Sequence, residues 1–294
     1  MQPDTHPYVE RWWQSRDGLK LFARDYAPTA GPARCPVICI HGLTRNYTDF
    51  EDLAPWIAAQ GRRVLAVDVR GRGRSAYDPD PTHYNPVTYA QDIQKLTADL
   101  GIARAVFIGT SMGGIITMTL ALKRLGLIAA AILNDVGPAI SQKGLTRIAG
   151  YVGKGKPVSS WEEAAAYIKG INEIAFPDNT MDDWATWARR SFSENNQGEL
   201  VLQYDPNIAQ AIQKGKLKAS SLIAKLAFRR LARNRPTLLV RGGLSDIIEQ
   251  EQVDQMRAAA PTMKYVEVPR VGHAPMMMET EAQTAIHEFL LQVD

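Results

Sequence analysis

Residues 104–125 read RAVFIGTSMGGIITMTLALKRL, and this stretch decides the architecture of the chain. An apolar, β-rich run enters the segment GTSMG at residues 109–113, and a helix-forming run leaves it. This order predicts a strand, a sharp turn and a helix, the context that a G-x-S-x-G nucleophile elbow requires. The turn forces Ser111 into a sparsely populated backbone conformation, which explains the glycines around it. The same letters also fit a glycine-rich turn with an incidental serine, so the functional interpretation depends on partners elsewhere in the chain.

The composition is that of an ordinary globular protein. The chain has 294 residues, of which 45% are hydrophobic and 22% charged, with a net charge of +3, and fits one large domain with or without an insertion. The basic cluster at residues 228–233 has the spacing of a solvated helix face, so we expect no nucleic-acid partner. No apolar run approaches the roughly 18 residues of a membrane-spanning helix, so we expect no membrane span. We expect a small-molecule substrate, and the sequence does not indicate an oligomeric state.

The two cysteines, Cys35 and Cys39, are expected to be reduced thiols. They flank one predicted strand four residues apart, too far for an easy disulfide, and no C-x-x-C or Cys/His spacing predicts a zinc site. The first seven residues contain neither a charged region nor an apolar core typical of a secretory signal. We therefore expect a cytoplasmic protein.

Apolar β-rich runs alternate with amphipathic helical runs along most of the chain. Alternation of this kind predicts a mostly parallel, eight-stranded sheet with helices on both faces, an α/β fold. The predicted strands are residues 11–15, 19–26, 37–40, 64–69, 105–108, 130–134, 237–241 and 264–268.

One long segment interrupts the alternation. Residues 138–234, called the insertion below, contain no convincing strand and show helical patterns at 161–175, 181–195 and 217–233. This predicts a helical cap inserted between two parts of one core, residues 1–137 and 235–294.

A serine hydroxyl is a weak nucleophile and needs a positioned base that an acid orients. Among the histidines, His273 lies in the loop segment RVGHAP just after the last predicted strand, where a histidine is poorly explained as core. We predict His273 as the base. His41 closes an earlier strand and belongs with the turn that follows it, and His6, His83 and His287 are expected on the surface or in packing roles.

Two aspartates compete for the role of the acid. Asp246 follows the strand predicted at residues 237–241 and precedes His273 by 27 residues, so we predict Asp246. Asp246 also fits an N-cap of the helix that begins near Gln250. Asp135, which follows the preceding strand, is the rival, because a carboxylate one strand closer to the nucleophile can reach the same histidine.

Acyl transfer also requires two N–H donors directed at the developing oxyanion. The amide of Met112 follows the nucleophile directly and is one candidate. The amide of Leu43, in the His41-Gly42-Leu43 turn after a neighbouring strand, is the other. The alternative is a simple His-Gly turn without this role.

On these residues the chain resembles the α/β-hydrolase fold family over nearly its whole length. Four signatures occur in the family's order: His41-Gly42, the segment DVRGRGRS at residues 68–75, the Ser111 elbow and Gly272-His273. The chain order Ser111, Asp246, His273 is also the family's. The resemblance implies that residues 68–75 are structural and that the insertion is the cap that roofs the active site.

The resemblance also disfavours some chemistries. Haloalkane dehalogenases and epoxide hydrolases are similar but carry aspartate where Ser111 stands. Members that cleave carbon–carbon bonds usually have tryptophan after the catalytic histidine, whereas Ala274 follows here. The resemblance therefore implies a serine esterase or lactonase.

We predict hydrolysis of a small, largely apolar carboxylic ester or lactone through an acyl-enzyme on Ser111, with no metal and no organic cofactor. Trp184, Trp187 and Met276 are the predicted pocket residues, although helix packing explains the two tryptophans as well. A carbon–carbon bond hydrolase with the same residues is the alternative function. A ligand receptor or a cofactor-free oxygenase on this scaffold is a more distant one.

Overall fold

The structure, a computed structural model, describes residues 8–29, 31, 34–210 and 220–293. Ten strands form one large sheet and a small hairpin. They are β1 (Tyr8–Gln14), β2 (Lys20–Tyr26), β3 (Val37–Ile40), β4 (Val64–Asp68), β5 (Ala105–Thr110), β6 (Ile128–Asn134), β7 (Phe192–Glu194), β8 (Leu200–Leu202), β9 (Thr237–Gly242) and β10 (Lys264–Val268).

The large sheet has eight strands in the order β1-β2-β4-β3-β5-β6-β9-β10. From β4 to β10 all neighbours in this order are parallel, whereas β1 and β2 are antiparallel at one edge. The inner strands β3 to β6 and β9 are buried along their whole length, as expected for strands covered on both faces. The predicted mostly parallel, eight-stranded sheet is confirmed.

Helices cover both faces of the sheet. They are α1 (Leu53–Ala58), α2 (Pro86–Asp99), α3 (Met112–Arg124), α4 (Gln142–Tyr151), α5 (Trp161–Asn172), α6 (Met181–Ser191), α7 (Leu222–Ala232), α8 (Gln250–Ala259) and α9 (Thr280–Leu290). Apolar residues of α2, α3, α7 and α8 join one buried cluster, and those of α1 and α9 join a second. The carboxyl ends of the parallel strands therefore lie at one edge of a layered core, where ligand sites form in such sheets.

The insertion differs from its prediction in two respects. It contains the antiparallel hairpin β7–β8, in which Phe192 faces Leu202, and strands of three residues are too short for an alternating pattern to be visible. It also contains α4, which the sequence analysis did not predict, begun by Ser141 as a side-chain N-cap.

The helices of the insertion divide between two buried clusters. Phe228 and Leu231 of α7 belong to the main core with Ile116 and Leu120 of α3, whereas the aromatic residues of α5 and α6 form a separate cluster. The start predicted for this helix, residues 217–219, lies outside the described residues. Ile148 of α4 also belongs to the main core, so within the insertion the separate cluster is formed by α5, α6 and the residues next to them.

Within the described residues, no helix is both long enough and apolar enough to cross a membrane.

Candidate active site

Ser111 occupies the sharp turn between β5 and α3. Its backbone lies at φ 50° and ψ −111°, in the sparsely populated region that the elbow motif predicts. A Cβ at Gly113 would collide with the carbonyl of Ile40, and a Cβ at Gly109 would collide with the backbone of Gly113. The flanking glycines are therefore required by close backbone approach, and the turn leaves the serine side chain half-buried at the strand end.

A continuous series of hydrogen bonds runs from this serine to a buried carboxylate. The Nε2 atom of His273 lies 2.9 Å from Ser111 Oγ, and its Nδ1 atom lies 2.7 Å from Asp135 Oδ2. The carboxylate of Asp135 is fully buried and accepts a hydrogen bond from the Nδ1–H of His273, which leaves Nε2 free to accept the serine proton. Base, nucleophile and acid thus have the relative geometry of a hydrolytic triad.

The structure corrects the predicted acid. Asp246 forms no hydrogen bond with His273; its carboxylate accepts from Arg147 on α4, at 2.5 Å to Nε and 2.8 Å to Nη2. Although burial opposes ionisation, this guanidinium lowers the pKa of Asp246 below its ordinary value. In strand order β6 lies directly beside β5, so the residue that follows β6 is nearer the serine than the loop after β9.

Further contacts hold Asp135 in place. Its backbone turns at a positive φ of 53°, and the carboxylate accepts from the Gly242 amide at 3.1 Å and the Ser245 hydroxyl at 2.6 Å. These donors come from β9 and the loop that follows it. The loop that was expected to supply the acid therefore supplies hydrogen bonds that hold Asp135 instead.

The loop that carries His273 is tied to both the sheet and the insertion. Asn134 Nδ2 donates to the carbonyl of Pro275 at 2.7 Å, and the amide of Gly272 donates to the carbonyl of Ala175 at 2.6 Å. The imidazole is therefore held between two anchored residues. Sequence reasoning did not identify Asn134, whose position at the end of a buried strand is the signal that was available.

His41 holds the turn that was predicted to donate to an oxyanion. Its ring is fully buried; Nε2 accepts from the Val69 amide at 3.0 Å, so Nδ1 carries the proton and donates to the Gly42 carbonyl at 2.7 Å. Burial lowers the pKa of His41 to about 4, so the ring is neutral at neutral pH. This bond orients the peptide between Gly42 and Leu43, whose N–H is the predicted donor.

Within the described residues, neither the Leu43 amide nor the Met112 amide donates a hydrogen bond to another protein group. Unpaired amides beside Ser111 are what an oxyanion site requires before substrate binds.

A cavity of about 100 Å³ lies between Ser111 and the insertion. Trp187 and Met276 line it, as predicted, but Trp184 does not; it packs behind Trp187 with ring centroids 5.3 Å apart. The remaining apolar lining residues include Ile148, Ile168, Ile171, Phe176, Leu202 and Met277.

Polar side chains that sequence reasoning missed also line this cavity, beside its apolar walls. They include Arg45, Asp49, Tyr151, Tyr167, Asn172, Ser191 and Tyr204. Arg45 and Asp49 form an ion pair, with Nη2 and Oδ1 at 2.7 Å. Arg45 follows the predicted oxyanion turn by two residues, which is the signal that could have identified it. The tyrosines of the insertion carried no such signal.

In the part of the chain that the structure describes, one group of side chains lies close enough together to share a metal ion: Asp17, Asp78 and His83. It lies outside the lining of the cavity. The guanidinium of Arg70 already donates to Asp17 at 2.8 Å and to Asp78 at 2.5 Å. These carboxylates are thus engaged in a partly buried ion-pair network.

Known proteins resemble this chain over most of its length. The model of the alpha/beta hydrolase family matches residues 37–286. A 3-hydroxybutyrate-oligomer hydrolase from Cupriavidus necator is 35% identical over 85% of this chain and 86% of its own length. An sn-1-specific diacylglycerol lipase from Mus musculus is 27% identical over 88% of this chain and 82% of its own length.

Among solved structures, an alpha/beta hydrolase from Novosphingobium aromaticivorans is 41% identical and superimposes with a TM-score of 0.90, covering 98% of this chain and all of its own. The match to the family model, the close structural similarity and the hydrogen-bonded serine, histidine and aspartate lead to one conclusion: the chain belongs to the alpha/beta hydrolase family and is a hydrolytic enzyme.

Proposed function

We propose that this protein is a serine hydrolase that cleaves a small carboxylic ester or lactone through an acyl-enzyme on Ser111. The observation that carries the proposal is the hydrogen-bonded series Ser111–His273–Asp135 beside two unpaired backbone amides. None of these groups requires a partner outside the chain for acyl transfer.

In the proposed reaction, Ser111 Oγ attacks the acyl carbon while His273 Nε2 takes the hydroxyl proton. Asp135 stabilises the imidazolium that forms, and the amides of Leu43 and Met112 bind the oxyanion. Collapse of the tetrahedral intermediate breaks the ester bond, and His273 protonates the leaving alcohol. A water molecule, activated by His273, then releases the acid and restores the serine.

Esters of short hydroxy acids are the substrate class we favour. The cavity is small, and its lining combines aliphatic side chains with Tyr151, Tyr167 and Tyr204. Such a lining suits a short acyl chain that carries a further oxygen. The relative from Cupriavidus necator, named for hydrolysis of 3-hydroxybutyrate oligomers, supports the same class.

We further propose that the α4-to-β8 part of the insertion acts as a cap that selects substrates, since it supplies Ile148, Ile168 and Trp187 to the cavity wall. A cytoplasmic location fits the two free thiols of Cys35 and Cys39, and we propose it on that basis.

The test uses p-nitrophenyl butyrate and the linear dimer of 3-hydroxybutyrate. We expect turnover of both, a single fluorophosphonate label at Ser111, and a loss of several orders of magnitude in Ser111→Ala. Ser191→Ala is the matched control, because Ser191 lines the same cavity without contacting His273, and it should keep both labelling and turnover.

Label on another serine, or unchanged turnover in Ser111→Ala, would refute the proposed nucleophile. Cleavage of a vinylogous 1,5-diketone without ester turnover would favour the carbon–carbon bond hydrolase instead.

A further inference from the structure

Arg72 contacts both residues whose amides are proposed to bind the oxyanion. Its side chain is fully buried, Nε donates to the carbonyl of Leu43 at 3.0 Å, and Nη2 lies 3.5 Å from Met112 Sδ. Nη1 donates to the Arg70 carbonyl at 2.8 Å and to the Tyr89 hydroxyl at 2.9 Å. One guanidinium thus joins the oxyanion turn, the segment at residues 68–75 and the first residue of α3.

These contacts complete the support of Leu43. His41 holds the peptide before Leu43 through the Gly42 carbonyl, and Arg72 holds the peptide after it through the Leu43 carbonyl. With both flanking carbonyls fixed, the Leu43 N–H has little freedom to rotate away from the site beside Ser111.

The charge of Arg72 is not balanced by an ion pair. Among the described residues, Arg72 forms no ion pair with a carboxylate within 4.0 Å. The ring centroids of Tyr84 and Tyr89 lie 5.6 and 5.1 Å from its guanidinium carbon. The buried carboxylate of Asp205 instead accepts from the Tyr84 hydroxyl at 2.6 Å. A buried cation without a counter-ion is costly, and its positive potential extends to nearby groups because the surroundings have a low dielectric.

We propose that Arg72 is a positioning residue of the oxyanion site: it fixes Leu43 and Met112 and supplies positive potential where the negative charge develops. This inference rests on the proposed ester hydrolysis. It gives Arg72 a role in oxyanion binding, whereas the resemblance to the family implied that the segment at residues 68–75 is structural. A planar fork with five donors suits this role, because a lysine cannot reach acceptors in three directions at once.

The experiment compares Arg72→Met and Arg72→Lys with Arg62→Met. Arg62 is a matched control: it is equally buried and donates to the carbonyls of Cys35 and Leu290, at 2.8 and 2.7 Å, far from the cavity. For each folded variant, the measurements are kcat and KM with p-nitrophenyl butyrate, the inhibition constant of butylboronic acid, and thermal stability. The boronate forms a tetrahedral anion on the serine and so reports on oxyanion binding separately from stability.

We expect Arg72→Met to lower kcat about tenfold to a hundredfold, less than the loss on removing an oxyanion donor itself, with KM changed less than about threefold. Boronate binding should weaken by a similar factor. Arg72→Lys should recover part of both losses, and Arg62→Met should lose stability while keeping kcat and boronate binding.

A folded Arg72→Met with wild-type kcat and boronate affinity would overturn the inference, as would equal losses in Arg62→Met. If Arg72→Met does not fold, Arg72→Lys decides alone, because wild-type values for both measurements in that variant would also overturn it. Failure of the proposed function looks different: the wild type itself would then neither hydrolyse the ester nor bind the boronate.

Discussion

Asp135 and Asp246 follow neighbouring strands of the sheet, β6 and β9, and only one of them hydrogen bonds to His273. The two residues differ in surroundings as well. Asp135 is fully buried and is held by an amide and a hydroxyl, whereas Asp246 is partly exposed and paired with Arg147. A carboxylate that keeps an imidazole in one tautomer has to be held in a fixed position, as the buried Asp135 is.

We therefore expect Asp135→Asn to lower kcat by about 10⁴, as in other serine triads, because the amide leaves the histidine in the wrong tautomer. Asp246→Asn is the matched control and should lower kcat less than about tenfold, since it breaks only a partly exposed ion pair with Arg147. Turnover of p-nitrophenyl butyrate at matched folded fractions measures both. The reverse order of effects would return the role of the acid to Asp246.

At the scale of elements, α6 presents two tryptophans three residues apart, and the structure separates their roles. Trp187 lines the cavity and packs edge-on against Phe176 with ring centroids 4.7 Å apart, whereas Trp184 lies behind it and does not line the cavity. Both are buried, so their shared helix face could not distinguish them in advance.

We expect Trp187→Phe to enlarge the cavity and raise the preference for p-nitrophenyl octanoate over the acetate by about tenfold, the scale of discrimination that a few methylenes give in an apolar pocket. Trp184→Phe, the control on the same helix, should lower stability while leaving this preference within about twofold of the wild type. Ratios of kcat/KM for the two esters measure the effect. A preference that shifts equally in both variants would mean that α6 acts on specificity through its overall position.

At the scale of the whole molecule, the site is assembled from distant parts of the chain. The stability of the folded protein is coupled to pH through His41, a residue that takes no part in the proposed chemistry. His41 has a folded-state pKa of about 4, lowered from 6.5 by burial. The unfolded chain binds a proton there at pH values where the folded protein does not. The contribution of the neutral, buried His41 to the free energy of unfolding is therefore complete above pH 6.5, and it is lost as the pH falls towards 4.

Between pH 8 and pH 5 the wild type should thus lose about 2 kcal/mol of unfolding free energy more than His41→Asn, which cannot titrate in this range. Chemical denaturation at the two pH values gives this difference. Ring nitrogen chemical shifts at pH 6 provide an independent check, since they should report a neutral His41 with its proton on Nδ1. A protonated ring at pH 6, or the same loss of stability in both proteins, would contradict this prediction.

The sequence by itself determined the elements that local chemistry specifies. The eight strands of the sheet, the elbow at Ser111 with its glycines, and His273 in its loop all follow from residues that are close in sequence, because turns and strands are set by neighbouring residues. The hydrogen bond from His273 to Ser111 then confirms that these two residues meet.

Only the tertiary structure decided which aspartate contacts His273, which tryptophan faces the cavity, and what Arg72 holds. Each depends on strand order or on the rotation of a helix against its neighbours, and many orders and rotations satisfy the same local pattern. The sheet order β5-β6-β9 places Asp135 within reach of His273 and leaves Asp246 to Arg147. Contacts between residues far apart in sequence are fixed by the packing of the whole chain, so no local sequence pattern predicts them.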